Sequence, residues 1–274
     1  MWRALRCCAI TDFMSEDRLP TRADALDILD WYRMVGVDFA VTDEPVDRFA
    51  KPAARLEVRP ESASPVLLAP ADGAEPRQIA EACDSLEALR AAMAAYEGCA
   101  LKKRATRLVF ADGNPAAEIM LVGEAPGEAE DLEGRPFVGP AGQLLDRMLG
   151  AIGLDRTQVY LANMVPWRPP GSRDTSPEEL ALCAPFVIRQ IELVAPRILI
   201  TLGNTPTRAL FETKDGITRL RGQWRSLEIG RHRVKAMAML HPAYLLNTPA
   251  SKALAWSDLL GLKAELHEAE SARG

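Results

Sequence analysis

The sequence predicts an α/β protein built on a mostly parallel sheet of four strands. Two observations carry this. From about residue 118 onward, short apolar runs alternate with stretches of helical spacing, the order that a parallel sheet with crossover helices requires. One of those helices is marked at its start by Ser176, Pro177 and Glu179, which supply an N-cap, an N1 proline and a capping-box glutamate in succession. The chain has 274 residues, 48% of them apolar and 26% charged, with a net charge of −5, so it is long enough to bury a core without disulfides or metals.

Taken in order, Thr21 to Val35 reads as a helix, with Ala25, Ile28, Leu29, Tyr32 and Val35 at helical spacing and Gly36 as its stop. Residues 51–78 hold five prolines and six alanines with neither strand nor helix period, which is linker composition. A second helix opens near Asp84 with Glu87 as capping-box partner, carries Leu86, Leu89, Met93 and Tyr96 on one face, and ends at Gly98. The strands follow at 118–122, 159–163, 197–202 and 233–240, and the helices at 141–152, 177–194, 206–211 and 251–266. This divides the chain into a helical extension (1–50), a Pro/Ala-rich linker (51–80) and a main domain (81–274). No internal repeat interrupts the pattern.

Composition excludes several classes. No apolar run reaches the roughly 18 residues that cross a bilayer, and Thr11 and Asp12 break the apolar stretch after Arg3 and Arg6 before any cleavage site. Five cysteines, two of them adjacent at Cys7 and Cys8, make a poor disulfide framework, so a cytoplasmic location is expected. The motifs Gly-x4-Gly-Lys-Ser/Thr, Gly-x-Gly-x-x-Gly, Gly-x-Ser-x-Gly and His-Glu-x-x-His do not occur, which weakens the common nucleotide-cofactor and hydrolase readings.

Chemistry is expected in four loops that leave the ends of strands. They are Gly123-Glu-Ala-Pro-Gly127 with Glu128-Ala-Glu-Asp131, Arg135-Pro-Phe-Val-Gly139, Asn163 followed by Arg168-Pro-Pro170, and His241-Pro-Ala-Tyr-Leu-Leu246. Glycine and proline fix turns there, while Glu, Asn, Phe and His offer an acceptor, an amide, a stacking face and a switchable donor. Each loop alone is equally consistent with a turn, a cap or core packing. Between Arg219 and Lys235 there are six cations, Arg219, Arg221, Arg225, Arg231, Arg233 and Lys235, against the single acid Glu228. In an acidic chain this run reads either as a solvated face or as a rim that tracks phosphates.

Together these loops, with Gly134-Arg-Pro-Phe-Val-Gly139 and Ala141-Gly-Gln-Leu-Leu-Asp146, resemble the uracil-DNA glycosylase superfamily over about Cys99 to Leu266, and within it the iron–sulfur group known as family 4. The resemblance implies a three-layer α/β/α fold and hydrolysis of the bond between uracil and deoxyribose in DNA, with the base flipped out of the stack. It implies that Phe137 stacks on the ring and Asn163 reads its amide edge. It also implies that His241 donates to the uracil oxygen and that Glu130 handles the water, with Glu124 and Ala125 lining the same loop. Leu245 fills the space left by the base, an unstacking role suited to an apolar side chain. Tyr244, Arg168, Ser172, Arg173, Arg219 and Arg221 complete the expected DNA contacts. Uracil-containing DNA is the expected partner of a monomeric enzyme.

Two departures stand out. Family 4 holds a four-iron cluster on four cysteines, and this sequence keeps Cys99 and Cys183 but has Tyr96 and Trp167 at the other two positions. No cofactor and no metal is therefore expected, the two thiols being packed among the rings. Ser172 stands where the family often has asparagine, which leaves room for other deaminated bases such as xanthine and hypoxanthine. Alternatives are a binding module of the same fold that holds uracil or abasic DNA without turnover, and an unrelated nucleotide-binding α/β enzyme.

Overall fold

In the computed structural model, which describes residues 74–271, the chain opens with helices α1 (Ala74–Glu81) and α2 (Leu86–Ala95). Then come β1 (Asp112–Gly113), β2 (Ile119–Gly123), α3 (Glu128–Glu133), α4 (Pro140–Ala151) and β3 (Val159–Asn163). After these run α5 (Pro177–Val194), β4 (Ile198–Leu202), α6 (Asn204–Leu210) and α7 (Ile217–Leu220). The chain ends with β5 (Trp224–Ile229), β6 (His232–Met239), α8 (Pro242–Asn247) and α9 (Lys252–Ser271). The expected helix over 21–35, the extension over 1–50 and the linker as far as residue 73 lie outside the described residues. The last residues assigned to that linker are helical in α1, where Ala80 is buried.

The sheet has six strands in the order β1-β3-β2-β4-β6-β5. Its centre is the expected set of four, β3, β2, β4 and β6, paired in parallel. The expectation of four strands in all is corrected by two antiparallel edge strands, β1 on β3 and β5 on β6. Strand β1 is two polar residues long. In β5, Arg225, Ser226 and Glu228 are exposed, so its composition reads as a charged loop instead of an alternating strand. Strands β2, β3 and β4 are buried along their whole length, as parallel strands covered on both faces must be.

Capping agrees with the sequence at α5. The Ser176 hydroxyl accepts from the Glu179 N–H at 3.2 Å, and the Glu179 carboxylate accepts from the Ser176 N–H at 2.8 Å. At α2 the cap shifts by one residue from Asp84 to Ser85, whose hydroxyl accepts from the Ala88 N–H.

The parallel register sets Gly123 beside Asn163 and Leu202 beside Met239. The loops that follow β2, β3, β4 and β6 therefore leave from a single edge of the sheet, the place where open α/β sheets gather their ligands.

Candidate active site

Strand β2 ends on Gly123 because no larger residue fits there. A Cβ at this position would lie 2.5 Å from the Asn163 Oδ1 and 2.7 Å from the Phe137 ring. The missing side chain lets the amide at the end of β3 and the aromatic ring before α4 converge over the strand end. Both are buried. They border a cavity of about 310 Å³ that is also lined by Glu124, Ala125, Glu130, Ser172, Arg173 and His241, a volume at the small end of ligand pockets.

His241 is the N-cap of α8, and its Nδ1 accepts the Ala243 N–H at 3.1 Å. That bond assigns the ring proton of the neutral imidazole to Nε2, which is then a donor. Burial lowers the His241 pKa below 6.5, and the nearby carboxylates of Glu124 and Glu130 only partly oppose this. The imidazole is therefore a neutral donor at physiological pH.

The two carboxylates are held firmly. Glu130, at 9% exposure, accepts from the Val138 and Gly139 N–H groups through Oε1 at 3.0 and 2.9 Å, and from the Gly127 N–H through Oε2 at 3.1 Å. Glu124 accepts from the N–H and hydroxyl of Thr175 through Oε1, and from the Thr205 hydroxyl through Oε2 at 2.7 Å. A carboxylate offers about four acceptor positions, so each keeps one, on Oε2. Thr175 and Thr205 escaped the sequence reading, since an isolated threonine in a loop carries no signal.

Of the expected site residues, Glu124, Ala125, Glu130, Phe137, Asn163, Ser172, Arg173 and His241 come together at this cavity. Arg168, Arg219, Arg221, Tyr244 and Leu245 do not line it. Leu245 is a correction to its expected wedge role: it is 1% exposed, because residues 242 and 245 share the inward face of α8. Its neighbours Tyr244 and Leu246, at 48% and 38%, face outward instead.

Arg221 is a correction as well. Its guanidinium bonds to the buried Asp258 at 3.0 and 2.6 Å and to the Leu254 carbonyl, so it is committed to the fold and not free for phosphate. Arg173 pairs with Glu179 at 2.6 Å. Arg219 is 81% exposed, with Asp215 at 3.6 Å. Arg168 lies near Ser172 and Glu128, and its buried Nε has no partner among the described residues.

The cationic run does not form one rim. Lys235 pairs across β4 with Ile198, at the start of that strand. With about 3.3 Å per residue, this puts Arg231, Arg233 and Lys235 roughly 20 Å or more from His241, at the opposite edge of the sheet.

The donor set does not fit a four-iron cluster. Cys99 and Cys183 are free, fully buried thiols joined by a hydrogen bond, which lowers the Cys99 pKa to about 7 and helps push that of Cys183 up. The Tyr96 ring packs on Phe186 at 5.3 Å, and burial raises its phenol pKa. Trp167 is 2% exposed and offers only an indole N–H donor. Among the described residues, no group of three or more His, Cys, Asp or Glu side chains is placed to hold a metal ion.

A parallel-sheet edge with a small cavity lined by an aromatic ring, a buried amide and a neutral imidazole defines an α/β domain with its site at the strand ends. Comparison with known proteins makes this specific. The family model of the uracil DNA glycosylase superfamily matches residues 110–260, and the chain belongs to that superfamily. It is 42% identical over 171 residues to the type-4 uracil-DNA glycosylase of Sulfurisphaera tokodaii, covering 61% of this chain and 78% of the relative. To the type-4 enzyme of Saccharolobus solfataricus it is 38% identical over 188 residues, covering 67% and 87%. To that of Archaeoglobus fulgidus it is 43% identical over 155 residues, covering 55% and 78%.

Proposed function

We propose that the protein is a monofunctional uracil-DNA glycosylase, hydrolysing the N-glycosidic bond of uracil in DNA and leaving an abasic site. The observation that carries this reading is that Phe137, Asn163 and His241 converge on one small cavity. A base inside a duplex cannot reach such a pocket, so the nucleotide must be extruded at a cost of a few kcal/mol. Phe137 then covers one face of the ring. Asn163 offers both donor and acceptor to the amide edge.

As the C1′–N1 bond breaks, the electron pair goes to the uracil ring and positive charge grows on the sugar. The Nε2–H of His241 bonds to the uracil oxygen that takes up the charge, an interaction stronger in the transition state than before it. The carboxylates of Glu124 and Glu130, which both line the cavity, favour the sugar cation. The acceptor position left on Glu130 Oε2 orients the water whose oxygen bonds to C1′ and takes up the proton that this water loses, while uracil departs as the anion with the electron pair of the broken bond. Tyr244 and Leu246 on the outer face of α8 present apolar surface to the gap left in the stack, and Arg168 and Arg219 meet the phosphates. The chain works as a monomer and without a cluster.

The test is release of free uracil from uracil-containing single-stranded and duplex DNA, with alkali-labile abasic sites in equal amount. Tight binding of these DNAs with no release would favour a binding module instead. Parallel assays on xanthine- and hypoxanthine-containing DNA rank the bases that Ser172 admits.

A further inference from the structure

We infer that Arg156 is a positioning residue for the stacking platform: it fixes the Phe137 backbone in the left-handed conformation that presents the ring to the cavity. The inference rests on the reading of Phe137 as the ring that covers the flipped base.

Phe137 has φ +56°. A bulky residue in this region is strained and persists only where its surroundings over-determine it. Here they do. Arg156 Nη2 donates to the Phe137 carbonyl, and Nη1 reaches the Pro136 carbonyl at 3.4 Å. On the other side, the next two N–H groups, of Val138 and Gly139, are taken by Glu130. Helix α4 closes in from below, since a Cβ on Gly142 would lie 1.7 Å from the Phe137 oxygen.

The arginine is itself anchored twice. Its Nη1 donates to Asp112 on the edge strand β1 at 2.6 Å, and its Nε donates to Asp146 on α4 at 2.8 Å. Its guanidinium spans two elements and two carbonyls at once, which the fork of arginine can do and the single ammonium of lysine cannot. Arg156 is absent from the cavity lining, and Phe137 is the lining residue to which its guanidinium bonds.

The experiment is a double-mutant cycle of Arg156→Gln and Phe137→Ala, read by single-turnover uracil release and by inhibition with free uracil, at a temperature where thermal denaturation shows every variant folded. Phe137→Ala alone should slow release and weaken uracil inhibition. Arg156→Gln alone should do the same by roughly tenfold, within the range of couplings between contacting residues. In the Phe137→Ala background it should change either quantity by less than about twofold. Multiplicative losses, or a lower melting temperature with uracil inhibition unchanged, would overturn the inference while leaving the stacking role intact. An unaltered Phe137→Ala enzyme would instead overturn the stacking role itself, and the inference with it. Asp146→Ala, which removes one of the two carboxylate anchors of Arg156 without touching Phe137, carries the same expectation in smaller measure should Arg156→Gln fail to fold.

Discussion

The Phe137 ring and the His241 imidazole face one another, with centroids 6.0 Å apart and 29° between their planes. Two loops that are 104 residues apart in the chain thus present their functional rings to one volume, and each ring limits the freedom of the other. A substitution at either position is expected to affect both the holding of the base and the departure of its charge.

Asn163→Ala should reduce uracil release by about 10- to 100-fold, since a well-placed bidentate contact is worth about 1–3 kcal/mol of discrimination. Because the amide accepts no backbone cap in the described structure, the melting temperature should move little. Steady-state release together with thermal denaturation checks both expectations.

His241→Ala should cost about 10² to 10³ in single-turnover rate, or roughly 2.7–4 kcal/mol, with a much smaller change in affinity for uracil-containing DNA. The imidazole acts as a neutral donor and burial holds its pKa below 6.5, so the neutral ring persists on the acid side of that value. The acid limb of the pH–rate profile assigned to His241 should therefore fall below pH 6.5. The unfolded chain binds this proton first as pH drops, so the contribution of His241 to stability is complete above 6.5 and declines below it. NMR titration of the imidazole measures the same pKa directly.

Arg221→Ala should destabilise the protein by about 3–5 kcal/mol, the cost of leaving a buried carboxylate without its cation, and should leave the salt dependence of DNA binding unchanged. Burial raises Asp258 to about 6 despite Arg221. The folded state thus holds a proton that the unfolded chain has released, and stability from this group falls as pH rises from about 4 to 6. By contrast, Arg219→Gln should flatten the log–log salt slope by about 0.9 on duplex DNA if it meets one phosphate. Urea melts against pH and binding isotherms against salt separate the two roles.

Purified protein should contain neither iron nor sulfide in stoichiometric amount, and should show no broad iron–sulfide absorption while releasing uracil. A coloured enzyme with four irons per chain would mean that Tyr96 and Trp167 have been misjudged as filling.

The parallel centre of the sheet was legible because β2, β3 and β4 are apolar runs bounded by turns, and β3 and α5 fall where the sequence puts them. The site was legible where a residue type carries its own chemistry: Phe137, Asn163 and His241 meet as expected. What escaped was set by tertiary context. Strand β5 is an edge, so its outward charges mask its alternation. Whether Leu245 or Leu246 faces water depends on how α8 is rotated against the sheet, and adjacent leucines give no hint of it. The fate of Arg221 turns on Asp258, 37 residues away, and no local pattern announces a buried ion pair.

Glu130 joins two duties in one side chain. Its Oε1 fastens the strand of backbone just after Phe137, while its Oε2 ties down the start of α3 and keeps one acceptor position open. The open acceptor and the backbone under the Phe137 ring are therefore mechanically one assembly, and a slow enzyme altered at position 130 does not by itself report a missing base catalyst. Any replacement there shifts the backbone that carries Phe137 at the same moment that it removes that acceptor, so kinetic dissection belongs to Glu124, whose carboxylate is held by Thr175 and Thr205 and not by the Phe137 loop.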